Sequence, residues 1–504
     1  MRKSFARWII AALALLLVSP ACHSADRSAS DNSKERPAAV AGSFYPGDPA
    51  QLSSFVDHAL ANAVVPAANN PVVAIISPHA GYPFSGVVAA HSYALLKGKQ
   101  FKRVIIIGPS HYEGFGYSSV YDGDAYHTPL GRVAVDREFA RTLANSDRSI
   151  RIATSGHSVG ERAEHSIEVQ LPFLQRTLGD FTIVPIVMGD QSYDASRALG
   201  IALAKLLKHD SSTLLVASSD LSHFHAYHEA SRMDHNLLTA IEQDDYLSVS
   251  QNTERRVWEA CGAGPIVAVM IAVERLGAAS PQLLKYANSG DVTTDKSRVV
   301  GYGAVAFLRG GENVTAPTFT LTEAERAELL RIARLSVESA VRDRKPYRPP
   351  SPSSLGLLQE RGAFVTLTRH GELRGCIGYT SPLLPLYMAA SDVAAYAALR
   401  DPRFPPVRPD ELSDLEYEIS VLSPFHHVID PKLVKVGQHG LLIRRGEQQG
   451  ILLPQVPVEQ KWDRATFLQE VSLKAGLEND AWRDELADLF TFTALVFSDH
   501  AEKH

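Results

Sequence analysis

The side chains best suited to chemistry stand in turns rich in glycine and proline. His79 sits in Ser77-Pro78-His79-Ala80-Gly81-Tyr82 and His111 in Gly108-Pro109-Ser110-His111, each just after a short apolar run. Neutral imidazole is the commonest transition-metal ligand, and two rings presented from adjacent strand ends can converge on one ion. A third polar cluster, Ser218-Ser219-Asp220-Leu221-Ser222-His223, follows another such run. One histidine in a turn is more often a loop cap, but three polar clusters in matching places favour a site. Cys261 lies in Glu259-Ala260-Cys261-Gly262-Ala263-Gly264-Pro265, ahead of a stretch with helical spacing. A thiolate there gains from the helix dipole, although most lone cysteines are simply small buried residues. Spacing alone does not bring Cys261 to the histidines.

The elements that must position these groups follow from periodicity. Apolar, β-rich runs at 72–76, 104–107, 181–188, 214–217 and 299–307 alternate with helical patterns at 168–178, 195–207 and 267–276. That alternation predicts an α/β layered domain around a largely parallel sheet, whose chemistry gathers beyond the strand C-termini. A boundary follows near 309–311. Thr322 as N-cap with Glu323 and Glu325 in the first turn then predicts a helix to about 341. Strand-like runs at 363–368, 417–422 and 440–443 and a helix at 465–475 make the second part a smaller α+β domain. At 504 residues, two domains are expected: 38–310 and 322–500, with linkers at 26–37 and 311–321.

Composition narrows the function classes. A hydrophobic fraction of 45% and a net charge of −6 suit a soluble globular body and give no basic face for nucleic acid. The chain begins with Arg2, Lys3 and Arg7, an apolar run at 9–18, and Ser19-Pro20-Ala21-Cys22. This is the layout of an export signal within residues 1–25, and the run is about half the length that spans a bilayer. Cys22 suggests a lipoprotein signal, although Ser19 stands where such signals usually carry leucine; ordinary cleavage near Ala21 or Ala25 is the rival. The expected location is the cell envelope or periplasm, with membrane contact only through a lipid anchor. Of three cysteines, Cys22 belongs to this signal. Cys261 and Cys376 fall one in each domain, poor partners for a disulfide, so each calls for burial, metal ligation or reactive chemistry.

The blocks already quoted around His79, His111, Asp220 and Cys261, with Ala41-Gly42-Ser43-Phe44-Tyr45-Pro46 and Glu164-His165-Ser166-Ile167-Glu168, resemble the Memo family in its order. The resemblance implies a fold similar to the LigB-like extradiol dioxygenases, non-haem iron enzymes that open catechol rings. It implies that His79, His111 and Cys261 bind one transition metal, iron or copper in preference to zinc. By the same likeness His223 is the acid/base histidine, Asp220 orients it, and Tyr82, Tyr112, Glu164, His165 and Glu168 line or support the pocket. His165 and Glu168, three apart, would share a helix face. Where the dioxygenases use a carboxylate, Cys261 supplies a soft, oxidisable thiolate, which raises affinity for copper or zinc. The expected function is a metal-dependent, dioxygenase-like redox enzyme, the alternative a metal- or phosphopeptide-binding module.

In the second domain Leu373-Arg374-Gly375-Cys376-Ile377-Gly378, Asp401-Pro402-Arg403-Phe404-Pro405-Pro406 and Ile451-Leu452-Leu453-Pro454-Gln455-Val456 resemble the AMMECR family. Cys376 reads either as a nucleophile activated beside Arg374, which would also bind an anion, or as packing in a strand bend. Domains of both kinds occur with a radical SAM protein in the AmmeMemoRadiSam system. This chain lacks the clustered cysteines of a radical SAM iron–sulfur site, so that partner would be a separate protein.

Overall fold

The computed structural model describes residues 34–66, 70–160, 162–277, 281–309 and 319–499. The expected export signal with Cys22, and most of the 311–321 linker, lie outside the described residues. Among the described residues no helix is long and apolar enough to cross a membrane.

Among the described residues nine strands build the main sheet of the first domain: β1 (Val72–Ser77), β2 (Arg103–Pro109), β3 (Ser118–Val120), β4 (Ile150–Ile152), β5 (Thr182–Met188), β6 (Thr213–Ser218), β7 (His223–His225), β8 (Pro281–Asn288) and β9 (Val299–Leu308). Their order is β7-β9-β1-β6-β2-β5-β3-β4, with β8 also pairing β9. The centre, β1-β6-β2-β5, is parallel, and β9 and β3 run antiparallel against its two sides. All six residues of β1 are buried, as a central strand covered on both faces requires.

Alternation sorts the side chains of the sheet into two layers. Val104 and Ile106 of β2 join the core under α1 (Pro49–Asn62) and α2 (Tyr82–Ala94). Ile105 and Ile107 join the core under α3 (Tyr193–Leu207), α4 (Tyr227–Glu242), α5 (Tyr246–Glu254) and α6 (Ala263–Arg275). The strand patterns at 72–76, 104–107, 181–188, 214–217 and 299–307 all fall on observed strands. The pattern at 168–178 resolves into a short 3-10 turn, Glu168–Gln170, followed by a helix, Leu171–Thr177.

Among the described residues the second domain carries two four-stranded sheets. One joins Glu372–Tyr379, Ala363–Arg369, Leu415–Leu422 and Ala494–Ser498; the other joins His426–His427, Asp488–Phe492, Gly440–Arg445 and Gln448–Leu452. Thr322 forms a capping box with Glu325 at the start of the helix Glu323–Glu338, which satisfies orphan amide groups at both positions. The two domains share a core: Phe425, Leu442, Phe490 and Phe492 belong to the same buried cluster as Tyr193, Tyr246 and α6. Asp488, 2% exposed, sits in that seam and accepts from Tyr193 Oη at 2.8 Å and Arg197 Nε at 2.6 Å.

Candidate metal centre

Three strand ends and one helix start meet at the carboxyl edge of the sheet. His79 follows β1, His111 follows β2, the 218–223 block follows β6, and Cys261 precedes α6. One ligating atom from each of His79, His111 and Cys261 lies within 4.8 Å of the other two. The Cys261 Sγ to His79 Nε2 distance is 3.0 Å, and the two imidazole planes stand at 90° with centroids 5.0 Å apart.

The hydrogen bonds around these rings select the tautomer each can adopt. Ser218 Oγ donates to Ser166 O at 2.6 Å and accepts from Gln170 Nε2 at 2.7 Å. Its only proton is therefore spent, and at 2.9 Å from His79 Nδ1 it can only accept. His79 then carries its proton on Nδ1 and keeps the Nε2 lone pair facing Cys261. His111 is fixed the same way by Glu164, whose carboxylate accepts from His111 Nδ1 at 2.9 Å and from the His111 amide at 2.7 Å. Burial alone would raise the Glu164 pKa, but its bonds to His111 hold it well below the carboxylate range. Burial also pushes His79 down, so it is neutral, the form that ligates.

Cys261 reaches the site because its turn packs against the strand end with no room to spare. A Cβ on Gly262 would stand 2.4 Å from Ser218 O, so only glycine allows this approach. The Cys261 amide donates to Asp220 O, and the Asp220 amide donates to Sγ, both at 3.2 Å. Burial drives the thiol pKa up, so the sulfur is a thiolate only if a cation compensates. Two imidazoles and a buried sulfur, with no fixed cation beside it among the described residues, are a donor set that fits a soft or borderline divalent metal.

A cavity of about 520 Å³ opens onto this cluster, and His79, His111, His165 and His223 all face it. His165 stacks on His111 at 4.6 Å, and burial lowers its pKa to about 4. His223 Nδ1 donates to Leu221 O at 2.8 Å, and Nε2 has no hydrogen-bond partner among the described residues. The walls include Phe44, Phe84, Phe224 and Tyr302. Phe224 holds a left-handed φ of 64° while 60% exposed, strain that a bulky residue rarely carries away from a site.

Several side chains expected at the site do other work. Asp220 does not reach His223 by a hydrogen bond; it accepts from the amides of His79 at 2.7 Å and Ala80 at 3.2 Å. It therefore positions the His79 loop. Tyr82 is core: its ring packs on Tyr45, Phe55 and Phe173 and its hydroxyl donates to Val169 O. Tyr112 is 47% exposed and 6.1 Å from the His111 ring, outside the cavity wall. His165 and Glu168 share no helix face, because the 3-10 turn begins only at Glu168. Glu168 turns away from the cavity to Arg36 Nη1 at 2.5 Å, the Ala39 and Val40 amides and Tyr45 Oη.

In the second domain Arg374 is not available to an anion. Its guanidinium donates to Glu411 and to the carbonyls of Pro405 and Pro406. Cys376 accepts from Thr366 Oγ1 at 3.3 Å, and burial raises its pKa. A Cβ on Gly375 would stand 2.2 Å from Ala397 O, which favours the packing account of this block.

Comparison with known proteins settles the family. The profile described as Memo-like protein matches residues 36–306, and a MEMO1 family protein of Methanopyrus kandleri is 38% identical over 287 residues, 55% of this chain and 100% of the relative. The chain belongs to the Memo family. A MEMO1 family protein of Nitrosopumilus maritimus is 40% identical over 276 residues, 53% of this chain and 98% of that one. The AMMECR1 profile matches residues 330–497, so the Memo domain, with its LigB-like α/β fold, is fused to an AMMECR1 domain. Among solved structures, an uncharacterized protein of Pyrococcus horikoshii is 41% identical, covering 34% of this chain and 90% of that one with a TM-score of 0.33. An uncharacterized Escherichia coli protein is 14% identical, covering 46% of this chain and 99% of that one with a TM-score of 0.32. Sequence reasoning had no means of finding Ser218 and Gln170 as the groups that set the His79 tautomer, or Phe84 and Tyr302 as cavity walls. The one local signal it passed over was Phe224, wedged between His223 and His225.

Proposed function

We propose that the Memo domain holds one iron or copper ion on His79, His111 and Cys261 and is a dioxygenase-like redox enzyme for a small aromatic or carbonyl-bearing substrate. The observation that carries this reading is the pair of imidazoles locked as Nδ1–H tautomers with Cys261 Sγ beside them. When bound, such a metal supplies a Lewis-acidic, redox-active centre with positions open to small molecules. The chain supplies the rest. Phe44, Phe84 and Tyr302 give a flat substrate an apolar bed and exclude water. His223, its Nδ1 proton committed to Leu221 O, presents Nε2 to accept a proton from a substrate hydroxyl.

An oxygen-uptake assay on catechols, with metal content measured in parallel, tests this. His223→Ala should lose turnover by roughly 100-fold or more while its metal content stays unchanged. Equal turnover in the variant contradicts the enzyme reading. The second reading, a metal-holding module without turnover, draws on the thiolate that replaces a carboxylate, and it predicts bound metal with no uptake in either protein. Zinc without redox activity would instead point to hydrolysis by metal-activated water. The wider proposal places the chain in the cell envelope, exported by residues 1–25, and working with a separate radical SAM protein of the AmmeMemoRadiSam system.

A further inference from the structure

A second cavity, about 430 Å³, lies where the two domains meet. Asn236, Thr239 and Gln243 of the α4 segment face it from the Memo side, Phe319 from the connector, and Gln359 and Arg361 from the AMMECR1 domain. Three ionisable groups border it, and two of them are committed. Asp245 accepts from the amide and hydroxyl of Ser248 and from the Phe425 amide. Glu360 accepts from Arg232 Nη1 at 2.6 Å and Trp258 Nε1 at 2.9 Å.

Arg361 is different. Its Nε donates to the neutral Gln359 Oε1 at 3.2 Å, and its Cζ rests 4.0 Å above the Phe319 ring. Among the described residues no carboxylate or carbonyl accepts from its terminal nitrogens. Arg36, Arg197 and Arg374, by contrast, each contact a carboxylate at 3.0 Å or less. Burial lowers the Arg361 pKa to about 10, with Asp245 only partly opposing. A half-buried guanidinium with no carboxylate in contact keeps its donors available, and its rigid fork matches a carboxylate or phosphate in two-point contact. The volume falls within the range of small-molecule sites, and the amides and hydroxyls opposite suit a polar ligand.

We propose that this interdomain cavity binds a small molecule bearing a carboxylate or phosphate monoester, gripped by the two terminal nitrogens of Arg361. Because both domains form the walls, such a ligand binds only the docked pair and stabilises it by mass action. This site is separate from the metal centre and does not depend on what that centre does.

Thermal-shift and calorimetric titrations of the full chain with phenyl phosphate and with benzoate, at matched ionic strength, test the proposal, with benzyl alcohol as the neutral control. Saturable binding of either anion, weakened by roughly tenfold or more in Arg361→Gln and unchanged in His111→Ala, supports it. Which anion binds more tightly then assigns the ligand as a phosphate or a carboxylate. Arg361→Lys, which keeps the charge but not the fork, should fall between. No saturable binding of either anion, equal binding in Arg361→Gln, or binding lost only in His111→Ala would overturn it.

Discussion

At the scale of single residues, Glu164 decides which nitrogen His111 can offer. A carboxylate can only accept, so it holds the Nδ1 proton; an amide in its place can donate and reverse the ring's polarity. Glu164→Gln is therefore expected to lower metal affinity by roughly 10- to 100-fold, read by competition with a chromogenic chelator. Cys261→Asp restores the two-histidine, one-carboxylate set and should move preference from copper toward Fe(II), measured as relative loading from an equimolar mixture. His79 and His111 were legible in the sequence because each imidazole follows an apolar run in a tight turn. The role of Asp220 was not: its proximity to His223 along the chain suggested a pair, whereas the folded chain gives its carboxylate to two amides of the His79 loop. A local string cannot show which distant amides arrive.

At the scale of elements, central strands were legible because burial on both faces demands continuous apolar runs. The helix Tyr82–Ala94 was not read from sequence: nearly every face is buried, so it lacks the polar stripe that marks an amphipathic helix. Arg36 ties the short strand Glu35–Arg36 to the turn at Glu168, with both side chains at 2% exposure or less. Removing one partner of a buried pair strands the other, so Glu168→Gln should cost about 3–5 kcal/mol, seen in chemical denaturation. Asp244, between α4 and α5, is pushed up to about 7 by burial and then by the negative charge of Glu274. A raised carboxyl pKa means that the folded chain holds the proton more tightly than the unfolded chain. Its contribution is thus fully present below about pH 4 and is lost as pH rises through 7. Asp244→Asn should therefore be more stable than the native chain by about 1–3 kcal/mol at pH 8, with little difference near pH 4. Its φ of 55° suits asparagine as well as aspartate.

For the whole molecule, the two-domain organisation was visible as a change from interleaved strands and helices to a less regular pattern. The shared core was not, because apolar residues on the outer side of α5 or of Asp488–Phe492 look the same whether they meet their own domain or another. Asp488 concentrates the polar contacts of that seam, accepting from Tyr193 and Arg197 with Arg275 and His427 at 3.7 Å. Asp488→Ala leaves Arg197 without its carboxylate, while Arg275 and His427 keep Glu274, and should weaken docking by about 3–5 kcal/mol. Calorimetry is expected to show one unfolding transition for the native chain and two for Asp488→Ala; one unshifted transition in the variant would show that apolar packing alone holds the domains together.

X-ray absorption on the whole chain loaded with iron or copper reads the proposed ligand set itself. A sulfur and two imidazoles on one cation should give one sulfur scatterer near 2.3 Å, roughly the metal–thiolate distance, with two nitrogen scatterers. In Cys261→Ala the sulfur shell should vanish and stoichiometric loading should fall. A metal environment with no sulfur in the native chain, or unchanged in Cys261→Ala, would contradict the account.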